Sequence, residues 1–472
     1  MVWTGEEIAT ATGAAASAAT VATTTCRSVG TDSRRGVPGM LYVALRGPRH
    51  DGHDFAADAV QAGAVAVLVE RVPAGVDPGC AFVVPDTLRA LGDLAAYTRR
   101  RWGGRLAAIT GSNGKTTSKD MLVAICEQAM PHEAVLSTHA NENNLIGLPL
   151  TLLRLAGGEA VAVLEMGMNA RGEIARLTEI AAPDVGLITN VGPAHLEGLG
   201  SLDGVAAAKG ELFAGLRPTA SIAVNVEDER VVRLAAAFPG RHIRFGRRAE
   251  VSASVIDDRG FDGIAFQLHV GGRSAAVRLR MAGRHNVHNA LGAAAVAHGL
   301  GIDVEAIAAG LTAAQPPKMR LQVVRLANGV TLVNDAYNAN PASTEAALDA
   351  IARTDGRAIA VLGEMRELGP ESAALHRRVG AYAAGCGVHW LLAVGPQAEE
   401  IAAGARAAGT DLEVTVCDEA ADAAALLLAR WQRGDAILVK GSRGPDGEEG
   451  VRRYGARMAE VAARLEAAGG LA

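Results

Sequence analysis

The sequence runs to 472 residues, 49% hydrophobic but only 3% aromatic, with a formal net charge of −5. At roughly 150 residues per domain this implies about three domains, with cores built from Ala, Val and Leu. The slight acidic balance excludes a global basic field for nucleic acid or an anionic membrane. The five cysteines (Cys26, Cys80, Cys126, Cys386 and Cys417) are scattered, with no CxxC or zinc spacing, which points to a reducing cytoplasm. The start, MVWTGEEIATATG, carries acids and glycine where a signal peptide needs a basic start and an apolar run. No stretch approaches the ~20 apolar residues of a membrane span. The expectation is a soluble, cytoplasmic, monomeric protein with neither nucleic acid nor membrane as partner.

Residues 1–103 read as a small α/β unit, with strand candidates Met40–Leu45, Ala64–Glu70 and Ala81–Pro85 and a Gly- and His-rich loop, Arg46–Asp54, between the first two. Gly103–Gly104 breaks that pattern. Residues 104–314 carry a longer α/β pattern with apolar runs at Leu106–Thr110, Val161–Met166, Val185–Thr189 and Ile222–Asn225. Runs apolar on both faces indicate a parallel sheet covered by helices. Val251–Arg280 alternates like antiparallel strands, with Asp-Arg-Gly and Gly-Gly turn signals, and helical sequence resumes at Asn286–Gly299. Gln315, Pro316 and Pro317 form the next break. The third α/β unit, 315–472, has strand candidates Thr331–Asp335, Ala358–Leu362, Leu391–Val394, Glu413–Val416 and Ala436–Val439. No fixed-period repeat is present, and the acidic, Gly-rich Gly444–Gly450 reads as a loop.

The strongest local signal is Thr110-Gly111-Ser112-Asn113-Gly114-Lys115-Thr116-Thr117, between an apolar strand and a helical stretch. Such a turn aims successive backbone N–H groups at an anion, and the helix N-terminus adds a partial positive charge. Lys115 can reach the β- and γ-phosphates of ATP, and the Thr116 hydroxyl can ligate Mg²⁺. Ile109 stands where the usual phosphate loop has its first glycine, so by itself the motif also allows a plain strand–turn–helix.

Glu165 ends the strand Val161–Leu164, where an acid beside a phosphate loop either holds Mg²⁺ or faces solvent. Asn190 and His195 follow the next strand, on the carboxyl edge where open α/β sheets bind ligands; a lone histidine there is either structural or a metal or phosphate contact. Lys209 lies in a helical stretch, Leu202–Leu216, and its chemistry alone reads as a solvated helix lysine.

The blocks TGSNGKTT, LEMG, ITNVGPAH, AAKGE, GRHNVHNA and NDAYNANP, in that order between TDSR at Thr31–Arg34 and KGSRG at Lys440–Gly444, resemble the Mur ligases over essentially the whole chain. That family's phosphate loop also lacks the first glycine. The resemblance implies an α/β three-domain architecture: a UDP-sugar-binding domain, a central P-loop ATPase domain and a Rossmann-like C-terminal domain for the incoming amine. It implies that Lys115 and Thr116 serve ATP and Mg²⁺, that Glu165 and His195 sit at the metals, and that Lys209 matches a lysine often carbamylated in relatives. A carbamate would give a hard Mg²⁺ an anionic oxygen ligand, which an ammonium cannot. Asn286 and Asn289 resemble adenine-contacting asparagines, with helix capping as the alternative. Arg320 resembles the arginine that reaches the γ-phosphate, and Asp335 the ribose-binding acid. Both belong to the third unit while serving ATP on the second, so catalysis requires domain closure.

Ser33 and Arg34, in TDSR, resemble the UDP-holding block; the alternative is a surface turn with an Asp–Arg pair. The loop Thr138–Gly147, with Asn141 and Asn143, the block Asp335–Pro341, with Asn338 and Asn340, and Leu362–Gly369 resemble members that add D-alanyl-D-alanine to UDP-N-acetylmuramoyl-tripeptide. The DNPR-type motif of diamino-acid-adding members is absent from the sequence. Three features depart from the family pattern: Asn225-Val-Glu-Asp228, Glu364, and the tail carrying Glu448 and Glu449. The rival readings are another Mur or polyglutamate-type ligase, or a catalytically silent UDP-sugar-binding P-loop protein.

Overall fold

Besides a two-stranded pairing near the start, three larger sheets succeed one another along the chain, each built on short runs of Ala, Val, Leu and Ile. The structure, a computed structural model, describes residues 1–130, 134–193, 196–442 and 452–471. The first sheet has four parallel strands in chain order: Ser28–Gly30, Met40–Val43, Ala64–Val69 and Ala81–Val83. The last three end before the predicted Leu45, Glu70 and Pro85. The chain turns at Leu45, whose carbonyl accepts from Gly52. Glu70 leaves the ladder to pair with Arg46, and proline has no N–H to donate.

Helix Thr87–Arg101 leads into the second sheet, and its Arg99 ties the two units together. The Arg99 guanidinium donates to the carbonyls of Ala181, Trp102, Gly104 and Ala182 and, at 3.0 Å, to the Asp184 carboxylate. Asp184 also accepts from Leu106 N–H and from Arg217, which anchors the start of the phosphate-loop strand.

The second sheet has nine strands. From one edge they run Ala134–Ser137, Glu159–Glu165, Arg105–Thr110, Val185–Ile188, Ser221–Asn225, Arg241–Phe245, Val251–Asp258, Ile264–Val270 and Arg273–Leu279. The first seven are parallel to one another, and the last two form an antiparallel extension. Side-chain alternation splits the phosphate-loop strand between two cores. Leu106 and Ala108 pack with helices Thr87–Arg101, Glu173–Ala181 and Leu202–Gly215; Ala107 and Ile109 pack with helices Lys115–Ala129, His285–Gly299 and Val304–Ala313. This is the doubly covered sheet expected from runs that are apolar on both faces.

The third sheet runs Gln322–Arg325, Thr331–Asp335, Ala436–Lys440, Ala358–Leu362, Trp390–Val394 and Glu413–Cys417, antiparallel only at its first edge. The hairpin joining Val251–Asp258 to Ile264–Val270 reaches this unit. Phe261 packs against its core, Asp258 accepts from Arg284 and Arg353, and Asp262 from Arg325. Six strands escaped the sequence reading: Ala134–Ser137, Arg241–Phe245, Gln322–Arg325, Ser28–Gly30 and the paired Trp3–Thr4 and Thr25–Cys26. No helix among the described residues is long and apolar enough to cross a membrane. Gly444–Gly450 lies outside the described residues.

Arg99 is 8% exposed, and removing its guanidinium takes a donor from four carbonyls and one of three donors from Asp184. Arg99→Met is expected to lower stability by about 3 kcal/mol, read as a shift in the urea midpoint. An unchanged midpoint would show that water replaces the guanidinium without cost.

Candidate active site

The predicted phosphate loop leaves the carboxyl end of Arg105–Thr110 and enters helix Lys115–Ala129. Ile109 is fully buried in the sheet core, so the position of the usual first glycine belongs here to the strand. Gly111 and Gly114 have φ of +147° and +80°, where a Cβ is disfavoured. A Cβ on Gly111 would lie 1.8 Å from Thr189 Oγ1, and one on Gly114 2.2 Å from Asn289 Oδ1. The next strand's end braces the loop. Thr189 Oγ1 donates to the Asn113 carbonyl at 2.6 Å, Asn113 N–H donates to Asn190 Oδ1 at 3.0 Å, and Ser112 bonds Gly192. No side chain caps the helix, so its first-turn N–H groups stay available to an anion. Lys115 Nζ donates to the Gly111 carbonyl at 2.7 Å. Burial pulls its pKa down; Glu165 opposes that shift and Arg320 adds to it.

Glu165 is 3% exposed, which removes the solvent-facing alternative. Its Oε2 accepts from Thr116 Oγ1 at 2.7 Å and its Oε1 from Asn143 Nδ2 at 2.8 Å. Its N–H donates to Thr138 Oγ1, and the Thr138 carbonyl accepts from buried Lys119. A hydroxyl and a carboxylate beside a phosphate loop are hard oxygen donors that fit Mg²⁺, which takes one or two carboxylates and completes its shell with phosphate and water. Among the described residues no cluster of three His, Cys, Asp or Glu stands together. His195 lies outside the described residues.

Lys209 corrects the reading from chemistry alone. It sits on the inward face of helix Leu202–Gly215, 2% exposed, and lines the same cavity as Glu165 and Lys115. Among the described residues it has no hydrogen-bond or ion-pair partner. Burial, and then repulsion from Lys115, holds its pKa well below the usual lysine value.

The third unit closes over the loop. Arg320 Nη2 donates to Thr116 Oγ1 at 2.9 Å, and Asn340 Nδ2 to Asn113 Oδ1 at 2.6 Å. Both neighbours of Arg320 are left-handed, Met319 at φ 57° and Leu321 at φ 46°, a strain of about 1–2 kcal/mol each. Asp335 Oδ1 takes the Leu321 N–H, and Asp335 Oδ2 pairs with buried Lys440 at 2.6 Å. Asn286 donates to the Ala282 carbonyl and Asn289 to Asn286, so both amides are oriented.

The predicted nucleotide, metal and substrate residues that the structure describes line one cavity of about 650 Å³, apart from Gly111, Ser33 and Arg34. Gly111 shapes the loop from behind. Ser33 and Arg34 lie on a short 3-10 turn, with Arg34 87% exposed and paired to Asp32 at 2.9 Å. The sequence reading assigned no role to Lys119, Tyr337, Lys440, His285 or His288. The two histidines line the cavity and are pushed toward neutrality by burial; their place beside Asn286 and Asn289 was the available signal.

Three family descriptions match the chain: "Mur ligase family, catalytic domain" at residues 25–98, "Mur ligase middle domain" at 109–297, and "Mur ligase, glutamate ligase domain" at 319–443. The chain is 40% identical over 437 residues to the UDP-N-acetylmuramoyl-tripeptide--D-alanyl-D-alanine ligase of Escherichia coli K12, covering 91% of this chain and 93% of that one. It is 35% identical to the Bacillus subtilis protein of that name, with the same coverage. A crystal structure of MurF from Acinetobacter baumannii superposes with TM-score 0.88 at 33% identity, covering 98% of this chain and 99% of that one. MurF from Thermotoga maritima in complex with ADP gives 0.80 at 28% identity, covering 93% and 98%.

A side chain at position 114 meets both the left-handed backbone penalty and the Asn289 amide. Gly114→Ala is expected to weaken ADP binding at least about tenfold, measured by calorimetry. Undiminished affinity would mean that the loop accommodates a Cβ by shifting.

Proposed function

The chain belongs to the Mur ligase family, and from that membership and the site we propose that it joins D-alanyl-D-alanine to UDP-N-acetylmuramoyl-tripeptide in peptidoglycan synthesis. It is an ATP-dependent ligase. The observation that carries the reading is the meeting of Glu165 and Arg320, from two units of the chain, at the Thr116 hydroxyl, in the cavity that Lys115 also lines.

The reaction activates a carboxylate and then captures it. The terminal carboxylate of the tripeptide attacks the γ-phosphorus of ATP, the bond to the β-phosphate oxygen breaks, and an acyl phosphate and ADP result. The neutral amine of D-alanyl-D-alanine then attacks the acyl carbon, and phosphate leaves. The first step brings two anions together, so fixed positive charge supplies its main stabilisation. Lys115 and Arg320 provide it, from the loop and from the closing unit. Mg²⁺, held by Thr116 and Glu165, would add charge neutralisation on the phosphates. His195 serves as a metal contact, the role that the family resemblance implies for it.

The remaining assignments are part of the same proposal. Asn286 and Asn289 face the adenine, supported by their oriented amides, and Asp335 the ribose. Asn141, Asn143, Asn338 and Asn340 contact the peptide substrates, supported by their place on the cavity wall. Ser33 and Arg34 hold the UDP moiety, for which an exposed arginine suited to diphosphate is the support. Residues 1–103 bind the UDP-sugar, 104–314 bind ATP, and 315–472 receive the amine, in line with the change of sheet at each boundary. The protein works as a cytoplasmic monomer.

Lys209 works as a carbamate in this reading. Its neutral Nζ adds to the carbon of CO₂ and loses one proton, which turns a buried amine with no partner among the described residues into an anionic oxygen ligand in the cavity that Glu165 lines. Burial without a partner supports this, because an isolated ammonium is costly there and a metal-paired carbamate is not.

Two variants separate the nucleotide and uridine sites. Lys115→Ala should reduce ligation at least ~10²-fold with UDP-substrate affinity retained, and Arg34→Ala should weaken UDP-substrate binding with ATP affinity retained. Near-normal turnover in the first, or equal UDP-substrate affinity in the second, would remove the respective residue from its role. For Lys209, ¹³C-labelled bicarbonate should give a carbamate carbon resonance that disappears in Lys209→Ala. That variant should be nearly inactive and partly restored by short carboxylates, but not by bicarbonate. Full activity in Lys209→Ala would make it an ordinary helix lysine.

A further inference from the structure

Arg320 is held in an unusual way for a buried-site arginine. Its Cζ lies 4.2 Å from the centroid of the Tyr337 ring, and among the described residues no carboxylate is within ion-pair distance of its guanidinium. Chain geometry enforces the stack. Gln322–Arg325 pairs antiparallel with Thr331–Asp335, with Gln322 opposite Asn334, so the residues just outside each strand face each other. Tyr337 N–H donates to the Met319 carbonyl at 3.2 Å and closes that end of the pairing. The left-handed residues on either side of Arg320 turn its side chain away from the strand and toward Thr116.

The choice of partner matters electrostatically. A carboxylate would hold the guanidinium more tightly but cancel its charge and compete with phosphate. An aromatic face restrains the planar group through its quadrupole and leaves the N–H edge and the full charge free. The Tyr337 hydroxyl makes no hydrogen bond to any described residue, so the ring is the part in use.

We propose that Tyr337 is a positioning residue for the ligation reaction, an uncharged platform that aims Arg320 at the transferring phosphoryl group without neutralising it. The inference rests on the assignment of Arg320 to the γ-phosphate. An interaction that helps only as charge develops in the transition state appears in kcat rather than in KM. Tyr337→Phe should therefore keep kcat within about twofold, and Tyr337→Leu should lower it about tenfold with KM for ATP nearly unchanged.

The experiment is steady-state ligation by the full chain carrying Tyr337→Phe, Tyr337→Leu, Arg320→Ala and the double change Tyr337→Leu with Arg320→Ala, each checked for native unfolding behaviour. In the Arg320→Ala background, Tyr337→Leu should have no further effect on kcat. Several results would overturn the platform role: wild-type kcat in Tyr337→Leu, an equal loss in Tyr337→Phe, a rise in KM alone, or an additive loss in the double variant. A fully active Arg320→Ala would instead overturn the assignment of Arg320 on which the inference rests. If Tyr337→Leu folds poorly, Tyr337→Phe and the cycle built with Tyr337→Met give the same reading.

Discussion

The hydroxyl of Thr116 is the point on which the arrangement turns. It donates to the Glu165 carboxylate and accepts from Arg320, so a strand end, a helix start and the third sheet meet at one oxygen. Glu165 is nearly inaccessible, and a buried carboxylate without such partners would be strongly destabilising. Its other contacts run back into the central sheet through Asn143, Thr138 and Lys119. In the same cavity as Glu165 stand Lys115, from the loop, and Arg320, from the third unit, positive charge placed where a polyphosphate would lie.

What the sequence disclosed of the fold follows from where side chains are buried on both faces. Thr331–Asp335 and Ala358–Leu362 are strands over the predicted residues, because central parallel strands read as unbroken apolar runs bounded by polar residues. The missed strands lack that signature. Ala134–Ser137 and Gln322–Arg325 are edge strands with no fully buried residue. Arg241–Phe245 alternates charged and apolar residues inside a parallel sheet. An edge or half-covered strand is fixed by its neighbour's hydrogen bonds rather than by its own composition, so a single sequence carries little trace of it.

The site was legible where chemistry is concentrated in contiguous motifs and illegible where it depends on contacts across the chain. The phosphate loop, Glu165 and the paired asparagines are local, and the cavity gathers them. Lys209 looked ordinary because a lone lysine in a helix gives no sign of which face it occupies; only the packing of Leu202–Gly215 against the sheet turns it inward. The bond from Asn340 to Asn113 spans 227 positions, and the stack of Tyr337 on Arg320 needs the strand register to exist. Ser33 and Arg34 stand apart for a related reason. They lie in another unit and share no wall with the phosphate loop, so nothing in the main cavity bears on them.

Among the described residues, the contacts that close the third unit over the loop are mostly polar. Besides Arg320 and Asn340, the hairpin tip contributes Asp262 to Arg325, with side chains 73% and 56% exposed, and such surface pairs contribute about 0–1 kcal/mol. Phe261 adds one apolar anchor, and Asp258, shared by Arg284 and Arg353, adds the most enclosed charge pair of the hairpin. Among the described residues these contacts sit at a few polar points and one apolar anchor, and the left-handed residues on both sides of Arg320 fix where its side chain is presented. If Arg320 meets a phosphate on the loop below it, as proposed, nucleotide binding energy goes into assembling the site as well as into affinity. This division of labour suits a ligase that must admit a large sugar nucleotide, a dipeptide and ATP, and then exclude water while an activated acyl group exists.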